Sequence, residues 1–162
     1  MEESPLVGEI EKRLEELGIE LPEAREPKVA KILSSNIAGN ILYVSGQVPQ
    51  WNGELHFIGK VGREFDIGQG REAARLCALN VIAHAKKALN GDLDRIIKIA
   101  KVKGYVNATD DLTEVAAVVN GASELFVDVF GEAGQHARTV AGVNVMPFDV
   151  AIEVEADFLI ET

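Results

Sequence analysis

The stretch Ala151-Ile152-Glu153-Val154-Glu155-Ala156 alternates apolar and acidic residues with a period of two. Only a strand places every second side chain on one face, so Ile152 and Val154 are assigned to a core and Glu153 and Glu155 to the opposite face. The terminal strand is predicted over residues 150–160. Residues 137–145, just before it, read as another strand, with Arg138 at its start in Gln135-His136-Ala137-Arg138-Thr139-Val140. A guanidinium at a strand end can be a plain edge charge, or it can clamp a carboxylate through two parallel N–H groups, which lysine cannot imitate. Carboxylates on a sheet face are ordinarily solvated. Covered by an oligomer, one of this pair can hold or activate a water.

Working back along the chain, a helix is predicted from Asp110 or Asp111 through Val115 to Phe130, and a strand over residues 95–107 centred on 99–106. Asp66 and Gln69 have capping-box spacing for a helix running to about Leu89, which Asn90-Gly91 ends. Its inner stripe is Ala73, Cys77, Val81, Ala85 and Ala88. Residues 47–66 read as a loop, with a short hairpin at Asn52-Gly53, a pair that favours tight antiparallel turns. Residues 29–37 and 41–46 form the first hairpin around Ala38-Gly39-Asn40. The order is β-β-α-β-α-β-β, an α+β plan with two helices on one face of a sheet. Before it, Leu6, Ile10, Leu14 and Leu17 mark an amphipathic helix stopped by Gly18, and Leu21-Pro22-Glu23-Ala24-Arg25-Glu26-Pro27 is a linker. Residues 1–27 are thus an appendage to a single domain over 28–162.

Composition narrows the function. The chain has 162 residues, 47% of them apolar, enough for one ordinary core without disulfides or metals. A net charge of -10, with no concentrated basic patch, disfavours nucleic acid as a partner. Cys77 is the only cysteine, which excludes an intrachain disulfide. The acidic start Met1-Glu2-Glu3-Ser4 is unlike a secretion signal, and no apolar run approaches a bilayer span. The expected location is the cytoplasm, away from membranes, and the sequon-like Asn107-Ala108-Thr109 is read as a turn. His56, His84 and His136 lie on unrelated elements and make no metal site; His84 reads as a satisfied, partly buried side chain. Gly68-Gln69-Gly70 loosely fits a dinucleotide turn but follows no buried strand, so it is read as a flexible start to a helix. No G-x-S-x-G elbow is present.

Three segments in order, Leu42-Tyr43-Val44-Ser45-Gly46-Gln47-Val48-Pro49, Ala137-Arg138-Thr139-Val140 and Ile152-Glu153-Val154-Glu155-Ala156, together with Asn120-Gly121-Ala122, resemble the motifs of the reactive-intermediate deaminase (YjgF/YER057c/UK114, RidA-like) family. The likeness spans about residues 29–160 and points to a longer branch. It implies a chorismate-mutase-like fold, and a homotrimer with ligand sites in the clefts between subunits. It also implies hydrolysis of 2-imino acids to 2-oxo acids and ammonia without metal or organic cofactor. On this resemblance Arg138 holds the substrate carboxylate. Glu153, on the neighbouring strand, positions the hydrolytic water, and the Val140 backbone lies near the imine. Ser45, Gly46 and Asn120 match pocket positions. Ile32 takes the place of a pocket tyrosine on the first strand, which leaves open a non-catalytic carboxylate-binding or regulatory module on the same scaffold. The ribonuclease activity after which part of the family is named is opposed by the acidity and by the lack of a histidine pair suited to acid-base cleavage.

Overall fold

The computed structural model describes residues 8–28 and 31–162. After helix α1 (Glu9–Glu16) come strands β1 (Ser35–Ala38) and β2 (Ile41–Gln47), the small hairpin β3 (Gln50–Trp51) and β4 (Glu54–Leu55), and helix α2 (Ile67–Ala88). Strand β5 (Ile96–Asn107), helix α3 (Val115–Phe130), β6 (Ala137–Val143) and β7 (Ile152–Ile160) complete the chain. The main sheet runs in the order β1-β2-β7-β5-β6. Its pairs are antiparallel except β5 and β6, which α3 joins as a parallel crossover. This is the predicted α+β succession, with α2 and α3 on one face.

The period-two pattern of the last strand holds along its length. Ile152, Val154, Ala156, Phe158 and Ile160 are buried beneath the helices, while Glu153, Glu155 and Asp157 lie on the other face, half-buried. The capping box forms: Gln69 N donates to Asp66 Oδ1 at 2.7 Å, and Asp66 N donates to Gln69 Oε1 at 3.0 Å. Gly70 is buried against Val118 and Val61 rather than opening a phosphate cradle. The Asn52-Gly53 turn closes the small hairpin with both residues at positive φ, 50° and 90°.

Several boundaries differ from expectation. The first strand starts at Ser35, not 29, so Ile32 precedes it and is 60% exposed; the expected start at Val29 and the helix residue Leu6 lie outside the described residues. β1 pairs with β2 from Ala38 opposite Ile41 back to Ser35 opposite Val44, and one further backbone bond, Ser45 N to the Ser34 carbonyl at 2.9 Å, ends their pairing. β6 stops at Val143 because its partner β5 ends at Asn107. Asn107 is no turn residue: it is fully buried, its amide donating to Asp149 Oδ1 and the Val150 carbonyl. The inner stripe of α2 is one part of a nearly encircling burial that includes Asn80 and His84, the latter 2% exposed and so deeper than expected. Helix α1 packs Leu14 into the common core.

Candidate functional site

Parallel register sets where Arg138 points. It pairs with Val102, which is fully buried on the helix side, so Arg138 rises toward α3. Its Nη1 donates to Asn120 Oδ1 at 2.7 Å and to Ser123 Oγ at 3.1 Å. Asn120 and Ser123 are three residues apart on α3 and therefore share a face. Both Nη1 hydrogens are occupied. Among the described residues no acceptor is placed on Nε or Nη2, which leaves the side-on fork of the guanidinium for a ligand. Val140, two residues on, faces the same side and packs against the core.

The second group lies across the sheet. Glu153 pairs with Tyr105 and stands on the face away from the helices. Gly46, at the β2 register shift, lies so close to Glu153 that an added Cβ would collide with its carboxylate. Ser45 anchors the chain before β1, its hydroxyl donating to the Leu33 carbonyl at 2.6 Å. Burial, then the neighbouring charge of Glu155, pushes the Glu153 carboxyl above the ordinary carboxylate range. Asp157 is pushed the same way by burial, against the opposing pull of Lys103 and Lys101.

The expected site residues thus fall into two sets. Asn120, Arg138 and Val140 are together on the helix side, and Ser45, Gly46 and Glu153 are together on the outer side. Arg138 and Glu153 are not on neighbouring strands as expected: β5 runs between β6 and β7, so two strand spacings, roughly 10 Å, separate them across the sheet, with a three-residue offset of roughly 10 Å along the strands and the thickness of the sheet added. Ile32 joins neither set; it sits in the segment before β1. Sequence reasoning overlooked Ser123 and the part played by His136, whose Nε2 lies 2.9 Å from Ser123 Oγ. The i, i+3 spacing from Asn120 was the signal for Ser123.

Other chemistry finds little footing. Cys77 is fully buried, which raises its thiol pKa well above the ordinary range. Among the described residues no cluster of three or more His, Cys, Asp or Glu is placed to hold a metal. No described helix is long and apolar enough to cross a membrane.

Comparison with known proteins places the fold in a family. A family model described as YjgF/chorismate mutase-like, putative endoribonuclease, matches residues 11–156. Protein TCP17 of Trypanosoma cruzi is 41% identical over 150 residues, 92% of each chain. The crystal structure of Atu1372 from Agrobacterium tumefaciens, a protein described as of unknown function, superposes with a TM-score of 0.87 at 43% identity, covering 94% of this chain and 92% of that one. A putative endoribonuclease from Shewanella oneidensis gives 0.89 at 34% identity, covering 93% and 99%.

Proposed function

The chain belongs to the YjgF/chorismate mutase-like family, which includes deaminases and endoribonucleases, and from that premise we propose that it hydrolyses 2-imino acids of the 2-iminobutanoate and 2-iminopropanoate type. The observation that carries this reading is the guanidinium of Arg138, held at Nη1 by Asn120 and Ser123 with its Nε/Nη2 fork left over. A fixed fork is suited to a planar carboxylate, and fixing it beforehand lowers the entropic cost of orienting the substrate. Glu153 supplies the other half. A carboxyl whose pKa is raised by burial is a better proton acceptor than an ordinary one. Water adds to the imine carbon as Glu153 takes its proton. That proton passes to nitrogen to give a carbinolamine; Glu153 then moves the hydroxyl proton to the amine, the C=O bond forms as the C–N bond breaks, and ammonia and a 2-oxo acid leave. No metal or organic cofactor enters these steps.

The placement of Arg138 and Glu153 on opposite faces supports a site completed by two copies, with a homotrimer as the assembly. A second reading keeps the carboxylate clamp without hydrolysis. The position of Ile32 favours it, since Ile32 lies exposed before β1, outside both sets of residues, and brings to neither the tyrosine hydroxyl that the family resemblance implies. The ribonuclease reading has less support. His84 is buried, and His56 and His136 lie on separate segments of an acidic chain.

The test generates 2-iminobutanoate in situ with an amino-acid oxidase and follows its decay. Wild type accelerates decay, and Arg138→Ala loses that acceleration by about ten-fold or more, as expected for a lost charged hydrogen-bond pair. No acceleration by wild type refutes the reading for that substrate. A stable monomer by mass in solution refutes the shared site.

A further inference from the structure

The hydrogen bonds behind Arg138 run in one direction. The Gly134 carbonyl can only accept, so His136 Nδ1, 2.6 Å away, carries the ring proton in the neutral imidazole. Nε2 is then bare and accepts from the Ser123 hydroxyl at 2.9 Å. With its hydrogen turned to the imidazole, Ser123 Oγ presents its lone pairs to Arg138 Nη1 at 3.1 Å. The His136 ring plane is set in turn by edge-on contact with Phe126, centroids 5.9 Å apart at 87°. This wiring decides which edge of the guanidinium stays open.

We propose that Ser123 and His136 are positioning residues for Arg138, and that capture of a carboxylate on the Arg138 fork is coupled to proton uptake at His136. The inference rests on the reading of Arg138 as a carboxylate anchor. The groups facing His136 are Ser123 and Phe126 from α3, the Gly134 carbonyl from the short 3-10 turn (Gly131–Gly134), and Arg138 from β6. Lys101 of β5 pairs with Ala137 and so projects to the other face, while Glu124, Asp128 and Glu132 are exposed. Arg138 is the charge that His136 feels. Burial, opposed by the Gly134 hydrogen bond and aided by Arg138, holds the imidazole below its ordinary range. A bound carboxylate offsets the guanidinium charge, so the ring takes up a proton more readily. By linkage, carboxylate affinity rises as pH falls through that titration. The protonated ring donates Nε2–H to Ser123 Oγ, whose second lone pair still serves Arg138, so the anchor stays in place.

The test combines ¹⁵N NMR of the histidine ring and of the Arg138 Nε–H with calorimetric titration of 2-oxobutanoate, the product-like acid, in buffers of different ionisation enthalpy. Expected are a ring proton on Nδ1, and a guanidinium that loses order in Ser123→Ala and His136→Ala. The guanidinium keeps its order in Ser123→Thr and His136→Gln, which retain an acceptor. Affinity falls about ten-fold in the two alanine variants. His136→Gln binds like wild type at neutral pH but loses part of the proton uptake. Unchanged Arg138 order in both alanine variants overturns the positioning role, whether or not the acid binds. Equal proton uptake by wild type and His136→Gln overturns the coupling. Failure of wild type to bind 2-oxobutanoate overturns the coupling together with the anchor reading, and leaves the NMR result to decide positioning on its own.

Discussion

Replacing Gly121 with alanine tests how the fold supports the site, because this glycine lies between Asn120 and Ser123 on α3. A Cβ built there meets the backbone of α2 at Arg71: the carbonyl oxygen, the carbonyl carbon at 2.7 Å and Cα at 2.9 Å. Ordinary carbon contacts sit near 3.5 Å, so the carbonyl carbon alone requires the helices to part by about 0.8 Å, and the nearer carbonyl oxygen requires more. No side-chain rotamer can relieve a clash with backbone, which puts the cost near the upper end of overpacking, about 3 kcal/mol. Alanine returns about 1 kcal/mol of helix propensity, for a net loss of about 2 kcal/mol. In a domain of this size that lowers Tm by about 4–8 °C. Gly68→Ala is the milder comparison: it lies in the first turn of α2 and its Cβ meets only Asp66 Oδ1, the cap oxygen, at 3.3 Å, so its loss of stability should be smaller than that of Gly121→Ala. Thermal and urea unfolding of both variants measure the difference. Because the displaced helix carries two of the Arg138 partners, KM for an imino acid should rise in Gly121→Ala as well. A Tm at or above wild type would show that this contact does not set the helix spacing.

Two further outcomes follow from contacts away from the site. Asp94 caps α1 from a distance, accepting from Glu9 N at 2.9 Å and Ile10 N at 3.0 Å, so Asp94→Ala should cost the helix about 1 kcal/mol. Faster amide exchange around Leu14 is the readout, and unchanged protection would refute the cap. His84 is held neutral in the fold by burial, its pKa below the ordinary value of about 6.5. The unfolded chain therefore binds more protons below that pH, so the stability from neutral His84 is complete above about 6.5 and is lost as pH falls toward the folded pKa. Urea midpoints measured from pH 8 to 5 should drop, and less steeply in His84→Gln. An equal slope in the variant would assign the effect elsewhere, with His136 the next group of the same sign.

Legibility followed the range of the forces. The capping box at Asp66, the Asn52-Gly53 turn and the alternation over 152–160 are local, and each is readable because its partners lie within a few residues. Strand order is not local. Nothing in residues 137–160 says that β5 will insert between β6 and β7; the lateral separation of Arg138 and Glu153 follows from that insertion, and their opposite facing from the register of each strand. Parity was hard to read on β6 because an edge strand is only partly covered on either face, so its burial does not alternate cleanly. Asn80 lies outside the predicted inner stripe of α2, yet it is 1% exposed, its amide donating to the Gln50 and Leu76 carbonyls under the small hairpin.

On the proposed function the site is divided between two faces and completed in a trimer, which makes assembly and chemistry one question, and subunit mixing answers it. On the proposed roles Arg138→Ala and Glu153→Gln should each lose activity about ten-fold or more alone, since one lacks the clamp and the other the proton acceptor. In mixed trimers a cleft can take its arginine from the Glu153→Gln chain and its glutamate from the Arg138→Ala chain. With random assembly from equal amounts, that pairing arises in roughly a quarter of the clefts, and a comparable share of wild-type activity should return. Were both residues drawn from one chain, every cleft would lack one of them and mixing would restore nothing. Co-expression with two affinity tags isolates the mixed species and separates slow subunit exchange from true failure. Absence of recovery in purified mixed trimers would mean that Arg138 and Glu153 do not meet across a subunit boundary, and Glu153 would lose its place in the mechanism before Arg138 did.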